Sequence, residues 1–399
     1  QSLVTNHLSP KHHQKMYTLG INAYHGDASA CIYKDGELIA ATEEERLLRV
    51  KHWGGLPVEA VKFCLDEAGI RYEDVDVITI SRDPWAKFTK KVLHALRSRN
   101  ALGAVKNKAQ HIGGFRTIKE DVAHAIGLNG TPVKAKVKYI EHHRSHMASA
   151  FFVSPFEEAA ILSVDGMGDF TSTMRGWGKG NKIHVIDSVS YPHSLGFFYS
   201  IFTQFLGFPH YGDEYKVMGL APYGKPELTD LVWDVIRLKS NGLFELNLDY
   251  LSRWQQGDWV RFEDGIPVIE PQYSEYFVKK FGQPRQKNEP LTDFHKNLAT
   301  SVQRVCEQVI FHLAEDLHKK TGLKNLCITG GVAQNSVANG KVVENTSFER
   351  LFVPPAGHDG GTSVGSALYF YHHDLDKPRS PFKHEAFTGA RFSNDKIEE

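Results

Sequence analysis

The sequence predicts an α/β fold built from a duplicated unit. Three observations carry this: two strand-turn-strand-strand runs far apart in the chain, helical stripes after each, and glycine loops where strands give way to helices. The first run, YTLGINAYHGDASACIYKDGELIAATEEE from Tyr17, alternates apolar and polar residues, turns at a Gly/Asp pair, and has the hairpin signal Lys34-Asp35-Gly36 before its third strand. A helix then follows, because Val58, Val61, Cys64, Leu65 and Ala68 fall at helical spacing between an opening Pro57 and a terminating Gly69. From Ala159, AAILSVDGMGDFTSTMRGWGKGNKIHVIDSVS repeats the order strand, Asp-Gly turn, strand, Gly-rich turn, strand. Two such units facing each other across a cleft describe the duplicated ribonuclease H-like architecture of actin, sugar kinases and Hsp70, the ASKHA group. Two unrelated meanders would show the same periodicity, and periodicity alone does not separate the two.

The second half adds a helix over Asp293 to Lys319, where Leu298, Val302, Val305, Val309, Leu313 and Leu317 make one apolar stripe ended by Gly322. A strand over Asn325 to Thr329 runs into Gly330-Gly331, and Phe352-Val353-Pro354 runs into Gly357-His358-Asp359-Gly360-Gly361 ahead of a helix over Ser363 to His372. These elements divide the chain into halves at 17–148 and 159–371. Residues 240–287, with Trp254 and Trp259 and no clear period, read as an inserted subdomain. Residues 372–399 read as a linker or the threshold of a further domain.

Composition narrows the function. In 399 residues, Lys plus Arg equals Asp plus Glu at 47 each, so no global positive field draws a phosphate backbone, and nucleic acid is not expected as a partner. Cys31, Cys64, Cys306 and Cys327 have no C-x-x-C spacing and three lie in apolar runs, which suits a reduced, cytoplasmic setting. No apolar run reaches the ~18 residues of a membrane span, so no membrane partner is expected. A homodimer is one assembly such a chain could form.

Histidine is abundant, at 21 residues. His142 and His146, four apart in IEHHRSHMASAFF, put two imidazoles on one helix face, half of a metal site, although the spacing alone reads equally as surface or core histidine. Two carboxylates complete a quartet: Asp165 ends a strand, and Asp359 sits in a glycine-flanked loop. Such a mixed set suits Fe(II), Mn(II) or Zn(II) without choosing among them. The loops at Gly166 and Gly168, at Gly330 and Gly331, and at Gly360 and Gly361 let backbone N–H groups approach phosphate oxygens, which implies a nucleotide or phosphorylated ligand. Neither G-x-x-x-x-G-K-[ST] nor G-x-G-x-x-G occurs. Lys51 and Lys216, each beside a glycine turn in a charged run, are the cations that could neutralise such an anion.

Six ordered stretches, GINAYHGDASACIYKDGELIAATEEERLLRVKH, HHRSHMASAFF, ILSVDGMGD, HSLGFFYSIFTQFLGFPHYGDEYKVMGLAPYG, ITGGVAQNSVANG and PPAGHDGGTSVGSAL, together resemble the O-carbamoyltransferases of nodulation-factor, antibiotic and toxin biosynthesis over Tyr17 to Tyr371. The N-terminal part of that family is similar to the metal-dependent catalytic subunit of the tRNA threonylcarbamoyl machinery. The resemblance implies the ASKHA fold and a two-stage reaction: carbamoyl phosphate and ATP give carbamoyl adenylate, whose carbamoyl group passes to a hydroxyl of a natural-product acceptor. In the family adenylation belongs to a C-terminal YrdC-like domain, so this chain reads as the transfer domain alone. The resemblance implies a metal, iron by preference, on His142, His146, Asp165 and Asp359. It makes His25 and Lys51 catalytic, with His25 the general base and Asp165 its rival, and places the adenylate along Gly166, Gly168, Lys216, Gly330, Gly331, Asn335, Gly360 and Gly361. Gly26 is inserted before Asp27 relative to the family's H-D-A-S turn. A sugar kinase of the same fold would use Asp165 as base with ATP and Mg(II) and would not need the histidine pair. A threonylcarbamoyl-tRNA subunit would keep that pair, but neutral charge disfavours it.

Overall fold

The computed structural model describes residues 15–97, 118–128, 132–252, 254, 260–379, 386, 388–390 and 393–398; Trp259 lies outside them. Tyr17–Asn22 (β1), Ser29–Lys34 (β2) and Glu37–Glu43 (β3) form the expected meander, with Asp35 and Gly36 in the left-handed region at the hairpin. Helix α1 (Val58–Ala68) ends where Gly69 adopts φ 62°. Val77–Ile80 (β4), helix α2 (Ile118–Ala125), Lys136–Tyr139 (β5) and helix α3 (His142–Phe151) follow. The first sheet has the order β3-β2-β1-β4-β5, antiparallel through the meander and parallel from β1 to β5.

Glu158–Gly168 (β6), Thr171–Lys179 (β7) and Lys182–Ser190 (β8) make the second meander, followed by helices α4 (Leu195–Phe205) and α5 (Asp293–Thr321), strands β9 (Asn325–Thr329) and β10 (Arg350–Phe352), and helix α6 (Thr362–Leu368). Read from β8, the second sheet runs β8-β7-β6-β9-β10 with the same alternation: two antiparallel pairs, then two parallel ones. Identical strand order and polarity in both sheets is the duplicated ribonuclease H-like unit, and it separates this fold from two unrelated meanders.

Each half lends a helix to the other. α3, which follows β5 of the first sheet, packs on β6 and β9 of the second, while α6, from the second half, packs on β1 and β4 of the first. A row of hydroxyl bonds fixes α6 there: Ser29 Oγ to Ser363 Oγ at 2.9 Å, Thr79 Oγ1 with Ser366 Oγ at 2.9 Å, and Thr362 Oγ1 to Ser81 Oγ at 2.9 Å. The helices enclose a shared core that joins Cys31 and Tyr33 to Met147, Phe151, Ile161 and Leu368.

All six residues of the α5 stripe are fully buried. Among the described residues, those of 240–287 do not enclose a core of their own. Phe244, Leu246, Tyr250, Phe277 and Phe281 join Phe202, Phe205 and the α5 stripe in the second half's core, and this addition already begins at the strand Ile236–Leu238. The apolar side chains of a short insertion bury most surface by docking on an existing core, which is why it merges. The helix read over Ser363 to His372 is α-helical only to Leu368 and continues as a wider π-type turn over Tyr369–Asp374. The tail beyond is strapped down, because the Arg379 guanidinium donates to the carbonyls of Phe151, Phe152, Ser154 and Phe156 just past the end of α3. Thr388 also pairs with Ala41 on the edge strand β3. All four cysteines are free and buried, and burial pushes the Cys31 thiol up to about 12. No helix among the described residues is long and apolar enough to cross a membrane.

Candidate metal centre

The exchanged helices meet at one point, and the histidine and aspartate quartet lies there. α3 supplies His142 and His146 one turn apart, the end of β6 supplies Asp165, and the loop leading into α6 supplies Asp359; all four are buried. One ligand atom from each lies within 4.8 Å of the others. The two Nε2 atoms stand 3.0 Å apart, and Asp359 Oδ1 is 3.2 Å from His146 Nε2 and 3.4 Å from His142 Nε2. Asp165 Oδ2 is 3.4 Å from His142 Nε2. Two N–H groups cannot point at each other at 3.0 Å, so at least one imidazole turns a lone pair inward beside two carboxylates. Convergent lone pairs of nitrogen and oxygen fit a divalent cation, and the set favours none of Fe(II), Mn(II) and Zn(II) over the others.

Electrostatics agree with a site built for positive charge. Burial opposes charge on His142, yet the Asp359 and Asp165 carboxylates outweigh it and hold its pKa well above the ordinary histidine value. Burial pulls His146 down. Burial and the charge of Asp359 push Asp165 up, but the hydrogen bond and charge of the two histidines prevail and keep it ionised; Asp359, contacted by His25, His142 and His146, is likewise held far below the carboxylate range. Beneath them His143 is pushed down to about 3 by burial and by its two histidine neighbours. It stays neutral, accepting from Ser163 Oγ at 2.8 Å on Nδ1 and donating to the Thr171 carbonyl at 2.9 Å.

A supporting shell orients the ligands. Asp165 Oδ1 accepts the Gly331 N–H at 2.8 Å, and Asp359 Oδ2 lies 2.5 Å from His25 Nδ1. His25 Nε2 faces the Met167 carbonyl at 3.2 Å, so that nitrogen carries a proton, while Nδ1 meets Asp359 as an ion-pair contact without hydrogen-bond geometry. Asp169, in the tight β6–β7 hairpin, accepts the His142 N–H at 2.9 Å and the Asp83 N–H at 2.7 Å, while Glu141 caps α3 through the Arg144 N–H at 2.8 Å.

The other expected site residues fall differently. Gly168 lies flat against the His142 ring, where a Cβ would collide with it. Gly166 faces open space. The Gly330 N–H is spent on the Gly357 carbonyl, the Gly360 carbonyl accepts from Ser29 Oγ, and the Gly361 N–H bonds to the His358 carbonyl. Asn335 caps a short helix through the Ala338 N–H and pairs with Gln303. Lys216 is salt-bridged to Asp213 at 2.6 Å and lies over the Phe208 and Tyr215 rings. Lys51 is exposed and makes no ion pair among the described residues; its neighbour His52 turns inward to Asp27. Residue patterns did not single out Asp169, Asp27, His52 or Tyr211, although all four stand in quoted motifs. Their spacing carries no period, and only folding shows what they touch.

Residues 17–368 match the family described as Carbamoyltransferase N-terminus. Among curated relatives, an uncharacterized protein of Synechocystis is 36% identical over 393 residues, covering 96% of this chain and 62% of that protein. Nodulation protein NolNO of Sinorhizobium fredii is 33% identical over 348 residues, covering 87% of this chain and 46% of that protein. The chain thus spans about half to three-fifths of the length of these relatives. Solved structures it resembles include component A of the (R)-2-hydroxyglutaryl-CoA dehydratase of Acidaminococcus fermentans (TM-score 0.45, 14% identity, 91% of this chain and 100% of that one). T. kodakarensis HypF is similar at TM-score 0.44 and 11% identity, over 92% of this chain and 49% of that one.

Proposed function

The chain belongs to the carbamoyltransferase family, and on that premise we propose that it moves a carbamoyl group from carbamoyl adenylate to a hydroxyl of an organic acceptor. The observation that carries the reading is the buried His142, His146, Asp165 and Asp359 quartet, because a sugar kinase of this fold has no use for two imidazoles on one helix face. Carbamoyl adenylate would come from carbamoyl phosphate and ATP on a separate YrdC-like domain, and the acceptor is a natural-product hydroxyl.

The quartet would hold the cation; its donors do not choose among the three metals, and iron(II) is proposed over manganese(II) and zinc(II) on the family resemblance. When bound, a divalent cation supplies Lewis-acid polarisation of the carbamoyl oxygen. His25, wedged between the Asp359 carboxylate and the Met167 carbonyl, keeps Asp359 turned toward the histidines. Lys51, exposed and without an ion pair among the described residues, and Lys216 offer positive charge to the adenylate phosphate. Gly166, with open space above it, is the loop position at which an adenylate phosphate can approach the backbone.

The test supplies synthetic carbamoyl adenylate to protein loaded in turn with Fe(II), Mn(II) or Zn(II), together with a panel of sugars, aminoglycosides and polyols. AMP release and acceptor mass are followed. Metal-dependent AMP release with a gain of about 43 daltons on one acceptor, the net addition when CONH2 replaces the hydroxyl hydrogen, is the expected result; phosphorylation of a sugar from ATP and Mg(II) with no carbamate would replace this reading with the kinase.

A further inference from the structure

Beside the metal centre, the Tyr24–Asp27 loop and the His52 turn are joined by one side-chain contact, His52 Nδ1 to Asp27 Oδ1 at 2.7 Å. Tyr24, Asp27 and His52 each adopt φ 57°, a left-handed conformation that non-glycine residues keep only where their surroundings impose it. The backbone N–H of His52 is held by Glu45 Oε2 at 2.8 Å. Asp27 is buried, while 31% of the His52 side chain remains exposed. A carboxylate on Nδ1 fixes the tautomer and leaves the lone pair on Nε2. His52 Nε2 makes no hydrogen bond among the described residues; it lies against Gly212, where a Cβ would collide with it.

The Tyr211 ring meets His52 edge-on at 5.2 Å. Its hydroxyl lies over Gly26 and has no hydrogen-bond partner among the described residues. Burial and the charges of Asp27, Asp359 and Asp165 push this phenol well above its usual range, so Tyr211 stays protonated. His25 offers no such open nitrogen, since its Nδ1 lies 2.5 Å from the Asp359 carboxylate and its Nε2 faces the Met167 carbonyl.

We infer that His52, oriented by Asp27, is the base that activates the acceptor hydroxyl, with the Tyr211 hydroxyl as a hydrogen-bond donor beside it. This rests on the carbamoyl-transfer reading. The acceptor oxygen attacks the carbamoyl carbon and forms the new C–O bond, its proton passes to His52 Nε2, and the bond from that carbon to the adenylate phosphate oxygen breaks, AMP leaving with the electron pair. Asp27 acts through His52 and is a positioning residue.

The experiment measures single-turnover AMP release from synthetic carbamoyl adenylate by the metal-loaded chain, with ethanol and with the more acidic trifluoroethanol as acceptor probes. His52→Ala is expected to lower the ethanol rate by about 10²- to 10⁴-fold, the usual worth of a positioned base. The loss should be smaller with trifluoroethanol, and added imidazole should restore part of the rate, with metal content unchanged. His52→Asn, which keeps a donor for Asp27 but has no base, should lose as much and guards against a folding defect in the alanine variant. Asp27→Asn should lower kcat with KM for the adenylate unchanged. An unaltered ethanol rate in both His52 variants, or equal losses with both alcohols and no imidazole rescue, overturns the base assignment alone. A wild-type chain that releases no AMP with any metal and any acceptor overturns the carbamoyl-transfer reading and this assignment with it.

Discussion

Each of the four ligands answers to a different local constraint, and the consequences of replacing them differ accordingly. His142 and His146 lie one helical turn apart, which alone sets their rings side by side; Asp165, near the end of β6, and Asp359, in the loop before α6, are brought near only by the fold. His146→Ala removes one of four donors, so the chain, purified with Fe(II), Mn(II) or Zn(II), should lose stoichiometric metal by elemental analysis while its circular dichroism is retained. Full occupancy in that variant would show that the quartet is not a metal site. Gly168→Ala probes the same ring without touching a ligand: the added methyl meets the His142 imidazole, and metal affinity should fall by about 10- to 100-fold, the range seen when a ligand's support is disturbed. The quartet was legible because histidine pairs on helices and aspartates after strands have recognisable spacing. Asp169 and Tyr211 were not, because a backbone-accepting carboxylate or a cleft phenol looks in sequence like any other polar residue. Lys51, read as the cation of a Lys-His pair, is at the surface, and it is His52 that turns inward.

Among the elements, the β6–β7 hairpin is the one whose role reaches furthest beyond its own strands. Asp169 and Phe170 both take left-handed φ values, 50° and 71°, which turn the chain tightly enough to aim the Asp169 carboxylate at the start of α3. That carboxylate holds the first N–H of the helix that carries His142 and His146 and, through Asp83, the end of β4's loop. Asp169→Ala leaves two backbone donors unpaired and removes a helix cap, which should cost about 1–3 kcal/mol of stability. It should also weaken metal binding about tenfold or more by loosening His142. Thermal unfolding and a metal titration measure the two effects separately, and a variant with lowered stability but unchanged metal affinity would confine Asp169 to a capping role. The meanders, α1 and the α5 stripe were readable from periodicity, because one buried face leaves a repeating mark. The 240–287 stretch was not, since its aromatic side chains find their core by tertiary docking, which leaves no period in the sequence.

The duplicated architecture places the candidate metal centre by exchanging helices between halves, and this contact of α3 with α6 is what the sequence could not disclose: the repeat was visible in strand order, but which sheet each helix covers depends on packing across the cleft. The exchange requires close approach at Gly365, where a Cβ would run into the Ser145 carbonyl one residue before His146. A side chain there must push α6 away from α3, and Asp359, at the head of α6, moves with it. Gly365→Val should therefore destabilise the fold by about 1–3 kcal/mol, the usual range for overpacking, and lower metal affinity at the same time. Val309→Ala, a cavity in the fully buried α5 stripe away from the exchanged helices, should also destabilise the fold, by about 1–3 kcal/mol from lost burial and the void left behind, yet leave metal affinity at the wild-type value. If the two variants, matched for loss of thermal stability, weaken metal binding equally, the centre depends on global stability alone. If only Gly365→Val weakens it, the crossing of α3 and α6 sets the ligand geometry, and the two halves of the molecule are coupled through the quartet they share.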